Sequence, residues 1–165
     1  MTGRSLLVVP LPGLVSVAPP LGGGVAAPHI PLLDPFTEAD DIDAGVVAEL
    51  RAYFADVVPF PVRLPALSQF PNGPAYLNPE PAAPFRQLAL GVGRLFPELR
   101  RPRDTVDLVP HLTVPIAPGM TLDGLRAQLA PWLPLATIAR EAALWWWAED
   151  GVRTLATFEF GTSAA

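Results

Sequence analysis

The sequence contains no cysteine and no lysine. Without cysteine, the protein has no disulfide, no thiolate-bound metal and no cysteine nucleophile. Charged residues make up only 16% of the chain, and the formal net charge is −5. A protein that binds long duplex nucleic acid through its phosphates needs a broad basic surface, so this composition argues against such a partner. The one basic cluster, Arg100-Arg101-Pro102-Arg103, is interpreted as a solvated loop rather than a phosphate-steering element.

Histidine is also scarce, and the two that the chain has are His29 and His111. Each follows a proline and stands in a short apolar run of the kind that forms a buried strand. Side chains at positions i and i+2 of a strand share a face. His111 is therefore expected to point the same way as Thr113, and His29 the same way as Pro31. These matching settings predict two similar halves that bring the two imidazoles side by side.

The N-terminal stretch after Arg4 is apolar but interrupted by prolines, which break the helix that the apolar region of a secretory signal forms. We therefore interpret Ser5–Pro12 as a core strand and expect a cytoplasmic protein. No apolar run is long enough and free enough of breakers for a transmembrane helix, so the sequence predicts no membrane partner.

Three stretches beyond the first histidine repeat apolar residues at helical spacing. Thr37, with Asp40 three residues later, predicts a capped start for the first of these helices. Thr121 predicts the capped start of the last one.

Two stretches near the end of the chain alternate as strands, Ala136–Trp147 and Val152–Phe160. Asp150-Gly151 between them is typical of a tight hairpin. Strands and helices thus alternate irregularly, which favours an α+β architecture with antiparallel sheets. We expect residues 1–165 to form a single domain of two intertwined lobes.

Three consecutive tryptophans lie in the first of these strands, with Trp146 on one face and Trp145 and Trp147 on the other. Such a triplet is typical of a core face plus one ring at an edge or a pocket. Trp146 is taken as the candidate for stacking on a ligand.

With these motifs in place, the chain resembles the 2H phosphoesterase superfamily and, within it, the bacterial proteins of the 2'-5' RNA ligase family. The resemblance runs from the first histidine to the end of the chain, in the family's order. Its segments are His29-Ile30-Pro31-Leu32-Leu33-Asp34-Pro35-Phe36, Phe70-Pro71, Tyr76-Leu77-Asn78-Pro79-Glu80-Pro81, Pro84-Phe85-Arg86-Gln87-Leu88, Pro110-His111-Leu112-Thr113-Val114 and Phe158-Glu159-Phe160-Gly161.

The resemblance implies a bilobal α+β fold with a pseudo-twofold axis and a groove between the lobes. It also implies a metal-independent phosphodiester reaction on 2',3'-cyclic phosphates or 2'-5' linkages, in which His29 and His111 are the acid and base. An imidazole suits both roles because its pKa lies near working pH. The Thr113 hydroxyl can donate to a phosphoryl oxygen as charge builds there. No metal and no cofactor are expected, because no His, Asp and Glu cluster stands at ligand spacing.

The first histidine motif departs from the family pattern at two positions. Pro31 stands where the family has threonine or serine, so one phosphate-binding hydroxyl is missing. Asp34 stands where an aromatic residue is common and is expected to place an anion near the phosphate. The candidate substrate-binding residues are Thr113, Pro31, Asp34, Tyr76 and Trp146.

Three functions are compatible with this sequence. The first is a phosphodiesterase that acts on a small nucleotide or an RNA end. The second is a family member adapted to a non-phosphate reaction on an apolar small molecule, in a pocket lined by some of the three tryptophans. The third is a catalytically silent binding protein.

Overall fold

A computed structural model of the chain describes residues 3–71, 73–97 and 109–161. The strands are Gly3–Pro10 (β1), His29–Leu33 (β2), Phe60–Leu64 (β3), Leu67–Gln69 (β4), Ala75–Leu77 (β5), Leu112–Val114 (β6), Leu135–Ala139 (β7), Glu141–Ala148 (β8) and Gly151–Glu159 (β9). The α-helices are Leu14–Val17 (α1), Ala44–Ala55 (α2), Ala83–Leu95 (α3) and Leu122–Leu129 (α4). Short 3₁₀ turns span Pro19–Gly23, Ala39–Asp41 and Ala130–Trp132.

The strands form three antiparallel sheets, which confirms the predicted α+β class. The largest has the order β2-β1-β8-β9, a second has the order β4-β5-β6, and β3 pairs with β7. The two histidine strands, β2 and β6, are both edge strands and lie next to each other. The two imidazoles therefore come from the facing edges of two sheets.

Strand β1 is buried on both faces, so the four-stranded sheet separates two groups of apolar side chains. Leu7 and Val9 point into the main core, which also contains the buried apolar residues of α2 and α3. Leu6 and Val8 point to the other face, where they pack with Trp145 of β8. This second face is the one that carries the histidine site.

Helix α2 begins later than the sequence predicts. Thr37 does not cap it: Thr37 is buried, and its backbone N–H donates to the Ser5 hydroxyl. The N-cap is Asp43, whose side chain accepts from the N–H of Val46 at 2.8 Å. The extended backbone of Ile42 separates this helix from the preceding 3₁₀ turn, so the cap lies at the first residue after that break.

The long strand predicted over Ala136–Trp147 is also divided. The segment before Arg140 is β7 and pairs with β3, whereas the segment after it is β8 and pairs with β1 and β9. Apolar residues dominate both segments, so the sequence pattern does not mark the boundary between them. The boundary arises because the two segments form hydrogen bonds with different strands, and a periodic sequence pattern does not specify those partners.

Two local predictions are confirmed. Gly151, the first residue of β9 after the tight turn from β8, has a φ of +131°, a conformation that favours glycine. Thr121 caps α4 by accepting from the N–H of Gly124 at 3.0 Å. No helix among the residues that the structure describes combines the length and the apolar character needed to cross a bilayer.

Candidate active site

One cavity of about 390 Å³ is lined by both histidines of the chain. His29 is the first residue of β2, and His111 lies immediately before β6. Thr113 and Pro31, two residues after each histidine, line the same cavity. This size falls within the range of small-molecule sites, which is about 300 to 1,000 Å³.

The two imidazoles make the same hydrogen bond. Nδ1 of His29 donates to the carbonyl oxygen of Ala27 at 2.9 Å, and Nδ1 of His111 donates to that of Val109 at 2.7 Å. A carbonyl oxygen can only accept, so Nδ1 carries the hydrogen in both rings. Nε2 is therefore the nitrogen that each ring has left to exchange a proton with a ligand.

Each imidazole also packs against a pair of aromatic rings. The centroid of His29 lies 4.8 Å from that of Trp145 and 6.0 Å from that of Trp147. These contacts come from β8, across the four-stranded sheet.

The rings beside His111 come from the hairpin of β4 and β5. Phe70 lies edge-on to His111 at a centroid distance of 5.1 Å, and Tyr76 lies at 6.1 Å. Phe70 and Tyr76 stack on each other at 4.0 Å, and Tyr76 is the cross-strand partner of Thr113. The aromatic pairs and the carbonyl bonds together hold both imidazoles in place.

Burial lowers the pKa of His29 from its usual value of 6.5, because the charged imidazolium is poorly solvated among these rings. The hydrogen bond to Ala27 raises the pKa by a smaller amount, the nearby His111 lowers it further, and Asp34 raises it slightly. His29 is consequently neutral at neutral pH. A neutral imidazole with a free Nε2 can accept a proton.

A β-bulge decides which residues of β2 reach the cavity. Leu7 pairs with Leu33 and Val8 pairs with Pro31, so β2 carries one extra residue, Leu32, at this point. Leu32 and Leu33 are both buried in the main core. The bulge shifts the alternation by one, which places Asp34 in the same cavity as Pro31.

An arginine that the sequence analysis did not select lies beside Asp34. Arg4 of β1 donates from Nε to Asp34 Oδ1 at 2.6 Å and from Nη2 to Oδ2 at 3.3 Å. Both side chains line the cavity. Asp34 therefore places its carboxylate in the cavity, as the sequence analysis expects, and Arg4 pairs with its charge. No local signal could have found Arg4, because its neighbours come from strands distant in sequence.

Comparison with known proteins places this arrangement in a family. The family model of the 2'-5' RNA ligase superfamily matches residues 17–151. The chain belongs to the 2'-5' RNA ligase superfamily. The match includes both histidines and the strands that carry them.

Two solved structures share the fold of this superfamily member. One is the crystal structure of TT0787 of Thermus thermophilus, with 21% sequence identity and a TM-score of 0.64 over 97% of this chain and 99% of that chain. The other is the crystal structure of a phosphoesterase, with 16% identity and a TM-score of 0.59 over 98% of this chain and 99% of that one. The comparison with curated proteins gives no match.

The structure does not bring every predicted site residue of this superfamily member into the cavity. Trp146 lies on the other face of the sheet, where it lines a separate cavity of about 240 Å³. Its indole packs so closely over Gly3 that an added Cβ there would lie 2.7 Å from the ring. The tryptophan that lines the histidine cavity is Trp147. Tyr76 reaches the site through its contact with His111 and does not line the cavity.

Two further sequence interpretations concern charge and metal. The basic cluster of Arg100, Arg101 and Arg103 lies outside the described residues. In the part of the chain that the structure describes, no three His, Asp or Glu side chains are grouped as a metal site requires.

Proposed function

We propose that this protein is a metal-independent phosphodiesterase that hydrolyses a small 2',3'-cyclic phosphate or a 2'-5'-linked nucleotide, including one at an RNA end. The observation that carries the proposal is the pair of imidazoles in one cavity, each with Nδ1 bound to a backbone carbonyl. Membership of the 2'-5' RNA ligase superfamily supports phosphodiester chemistry.

We infer the two histidine roles in this mechanism from the environment of His29. His29 is the general base, because its lowered pKa keeps it neutral. Its Nε2 takes a proton from a water molecule, and the water oxygen forms the new bond to phosphorus. His111 is then the general acid, whose Nε2 gives a proton to the ribose oxygen as the phosphorus–oxygen bond breaks. After this step His29 holds the proton taken from water and His111 has lost the proton given to the ribose oxygen. Both exchange protons with solvent before the next turnover.

Thr113 supplies the phosphate contact in this mechanism. It is exposed, and it lines the cavity together with His111. Its hydroxyl donates to a phosphoryl oxygen as negative charge develops there. The size of the cavity favours a mononucleotide or a dinucleotide over a long strand.

A second candidate function is a non-phosphate reaction on an apolar small molecule. It is favoured by the apolar part of the cavity wall, which includes Leu6, Leu21, Val25 and Pro31. In that case the two histidines transfer protons to and from a substrate without phosphorus. A catalytically silent binding protein is the third alternative, and it predicts ligand binding without turnover.

The test is an assay of 2',3'-cyclic nucleotides and 2'-5' dinucleotides with the wild type, His29→Ala and His111→Ala. General acid or base catalysis contributes about 10² to 10⁴ in rate, so each variant should lose activity by that order. Arg63→Gln is the matched control, because Arg63 forms an exposed ion pair with Glu80 outside the cavity. A folded wild type that hydrolyses no substrate of the panel above background would contradict the proposal. Phosphodiester hydrolysis that both alanine variants retain would contradict it as well.

A further inference from the structure

On the side of the cavity formed by the first histidine motif, β2 has no hydroxyl, and the guanidinium of Arg4 lies there instead. Pro31 has neither a side-chain donor nor a backbone N–H. Arg4 enters the same cavity from the neighbouring strand β1. A donor for an anionic ligand on this side of the cavity therefore comes from β1, whereas the family pattern implies a hydroxyl on β2.

Two contacts hold the Arg4 guanidinium in place. The first is the two-point bond to Asp34, which fixes the guanidinium plane. The second is Trp147, the cross-strand partner of Arg4, whose ring centroid lies 5.5 Å from the guanidinium carbon. This distance is within the range of a cation–π contact, which extends to about 6 Å.

Arg4 retains donors that these contacts do not use. A guanidinium has five N–H groups, of which the Asp34 carboxylate accepts two, on Nε and Nη2. The remaining three are on the two terminal nitrogens. The Arg4 side chain is 46% exposed, so a ligand in the cavity can reach them. Planar donors of this kind match the oxygens of a phosphate.

We propose that Arg4 is a substrate-binding residue that donates to the phosphoryl oxygens of the substrate, and that Asp34 and Trp147 are positioning residues that hold its guanidinium. The proposal rests on the phosphodiesterase function and names the anion ligand for the side of the cavity where the Pro31 motif has no hydroxyl. It also gives Asp34 a task. The carboxylate orients the cation, and the cation offsets the repulsion between the carboxylate and the phosphate.

The direct test is calorimetric binding of inorganic phosphate and of adenosine 3'-monophosphate to the wild type, Arg4→Gln and Arg63→Gln. A hydrogen bond to a charged group corresponds to about tenfold or more in affinity. Arg4→Gln should therefore lower the affinity for both ligands by at least that factor. Arg63→Gln removes an arginine from an exposed pair outside the cavity and should change affinity by less than about twofold. Equal affinities for wild type and Arg4→Gln would overturn the proposal.

Arg4→Lys provides a second route if Arg4→Gln does not fold, as judged by circular dichroism. Lysine keeps the charge but loses the planar fork, so its phosphate affinity should also fall below that of the wild type. An Arg4→Lys protein that binds phosphate as tightly as the wild type would overturn the role of the fork.

The positioning role of Asp34 is tested by a double-mutant cycle. Loss of a nearby anion alone would tighten phosphate binding, whereas loss of the group that orients Arg4 would weaken it. We expect Asp34→Asn to weaken phosphate binding in the wild type and to have no further weakening effect in the Arg4→Gln background. Tighter binding by the single variant, or equal weakening in both backgrounds, would overturn the positioning role.

These results separate the proposal from the phosphodiesterase function on which it rests. Hydrolysis that depends on His29 and His111 but is unaffected by Arg4→Gln would leave the function standing and remove the Arg4 assignment. Phosphate binding that depends on Arg4, in a protein that hydrolyses none of the nucleotide panel, would support the Arg4 assignment and contradict the phosphodiesterase function. A wild type that binds neither phosphate ligand would overturn the Arg4 assignment.

Discussion

The imidazole of His29 lies edge-on to the indole of Trp145, with ring centroids 4.8 Å apart and ring planes inclined by 64°. Trp147 covers the same imidazole from a centroid distance of 6.0 Å. Burial is the largest influence on the His29 pKa, and it outweighs the hydrogen bond to Ala27. The two tryptophans thus help to lower the pKa of His29 by excluding water from its imidazole.

The first prediction concerns this pKa. In the wild type, His29 should titrate below 6.5, and Trp147→Gln should raise its pKa toward 6.5 by admitting water. The chain has two histidines, so a proton NMR titration gives two imidazole Hε1 signals, and His111→Ala identifies which of them belongs to His29.

The control for this titration is Trp146→Gln, because Trp146 lies on the opposite face of the sheet and lines a different cavity. It should leave the His29 titration unchanged. If His29 is the general base, the acid limb of kcat/KM should follow its pKa, since activity is lost as His29 becomes protonated. A wild-type His29 that titrates above 6.5 would contradict the assignment.

The second prediction concerns Pro31, which is buried and lines the cavity. Pro31→Thr should place a hydroxyl on the face that His29 uses and raise the hydrolysis of 2',3'-cyclic nucleotides. A preorganised oxyanion donor is worth about 10² to 10³ in rate. The gain here should be smaller because Asp34 remains in the cavity and the surrounding groups are not preorganised around the new hydroxyl. The edge position of β2 lets the new backbone N–H find a partner without breaking the sheet.

Pro31→Val is the matched control, because valine has nearly the shape of threonine without its hydroxyl. Only the threonine variant should gain activity. Equal activities of a folded Pro31→Thr and the wild type would favour the apolar-substrate function over the phosphodiesterase.

The third prediction concerns metal. Hydrolysis should continue undiminished after prolonged treatment with a strong chelator, because two imidazoles and the Thr113 hydroxyl supply the proposed proton transfers and phosphate contact. The measurement is the cyclic-nucleotide assay before and after dialysis against the chelator. Activity that disappears on dialysis and returns with zinc or manganese would contradict the mechanism.

The fourth prediction concerns Gly91 in helix α3. Helix propensity alone predicts that Gly91→Ala stabilises the protein by about 1 kcal/mol. In the structure, however, an alanine Cβ would meet the ring of Tyr53, whose hydroxyl donates to the Leu88 carbonyl at 3.3 Å. We expect the substitution to destabilise the fold by about 1 kcal/mol or more, because Tyr53 must leave its position.

The sign of this effect should reverse when Tyr53 is removed. In a Tyr53→Ala background, Gly91→Ala should raise the free energy of unfolding by up to about 1 kcal/mol, as helix propensity predicts. Urea unfolding of the four proteins measures both effects. Stabilisation by Gly91→Ala in the wild-type background would show that Tyr53 does not restrict this position.

The sequence by itself determined the features that depend on a few adjacent residues. The hairpin at Gly151 follows from a backbone conformation that glycine favours, and the cap of α4 follows from the Thr121 hydroxyl. The two proline-histidine motifs predicted matched imidazoles for the same reason. The preceding residues set the backbone, and period 2 sets the side-chain direction.

Tertiary structure decided which side chains surround those imidazoles. The bulge at Leu32 shifts the alternation of β2 and brings Asp34 into the cavity, where alternation counted from His29 would not place it. Arg4 reaches Asp34 only because β1 and β2 are paired, and Trp147 replaces Trp146 because β8 presents that face to the histidines. Hydrogen bonds between strands that are distant in sequence decide the register of each strand and the face on which each side chain lies. One periodic pattern of apolar residues is compatible with several such pairings, so the pattern does not select among them.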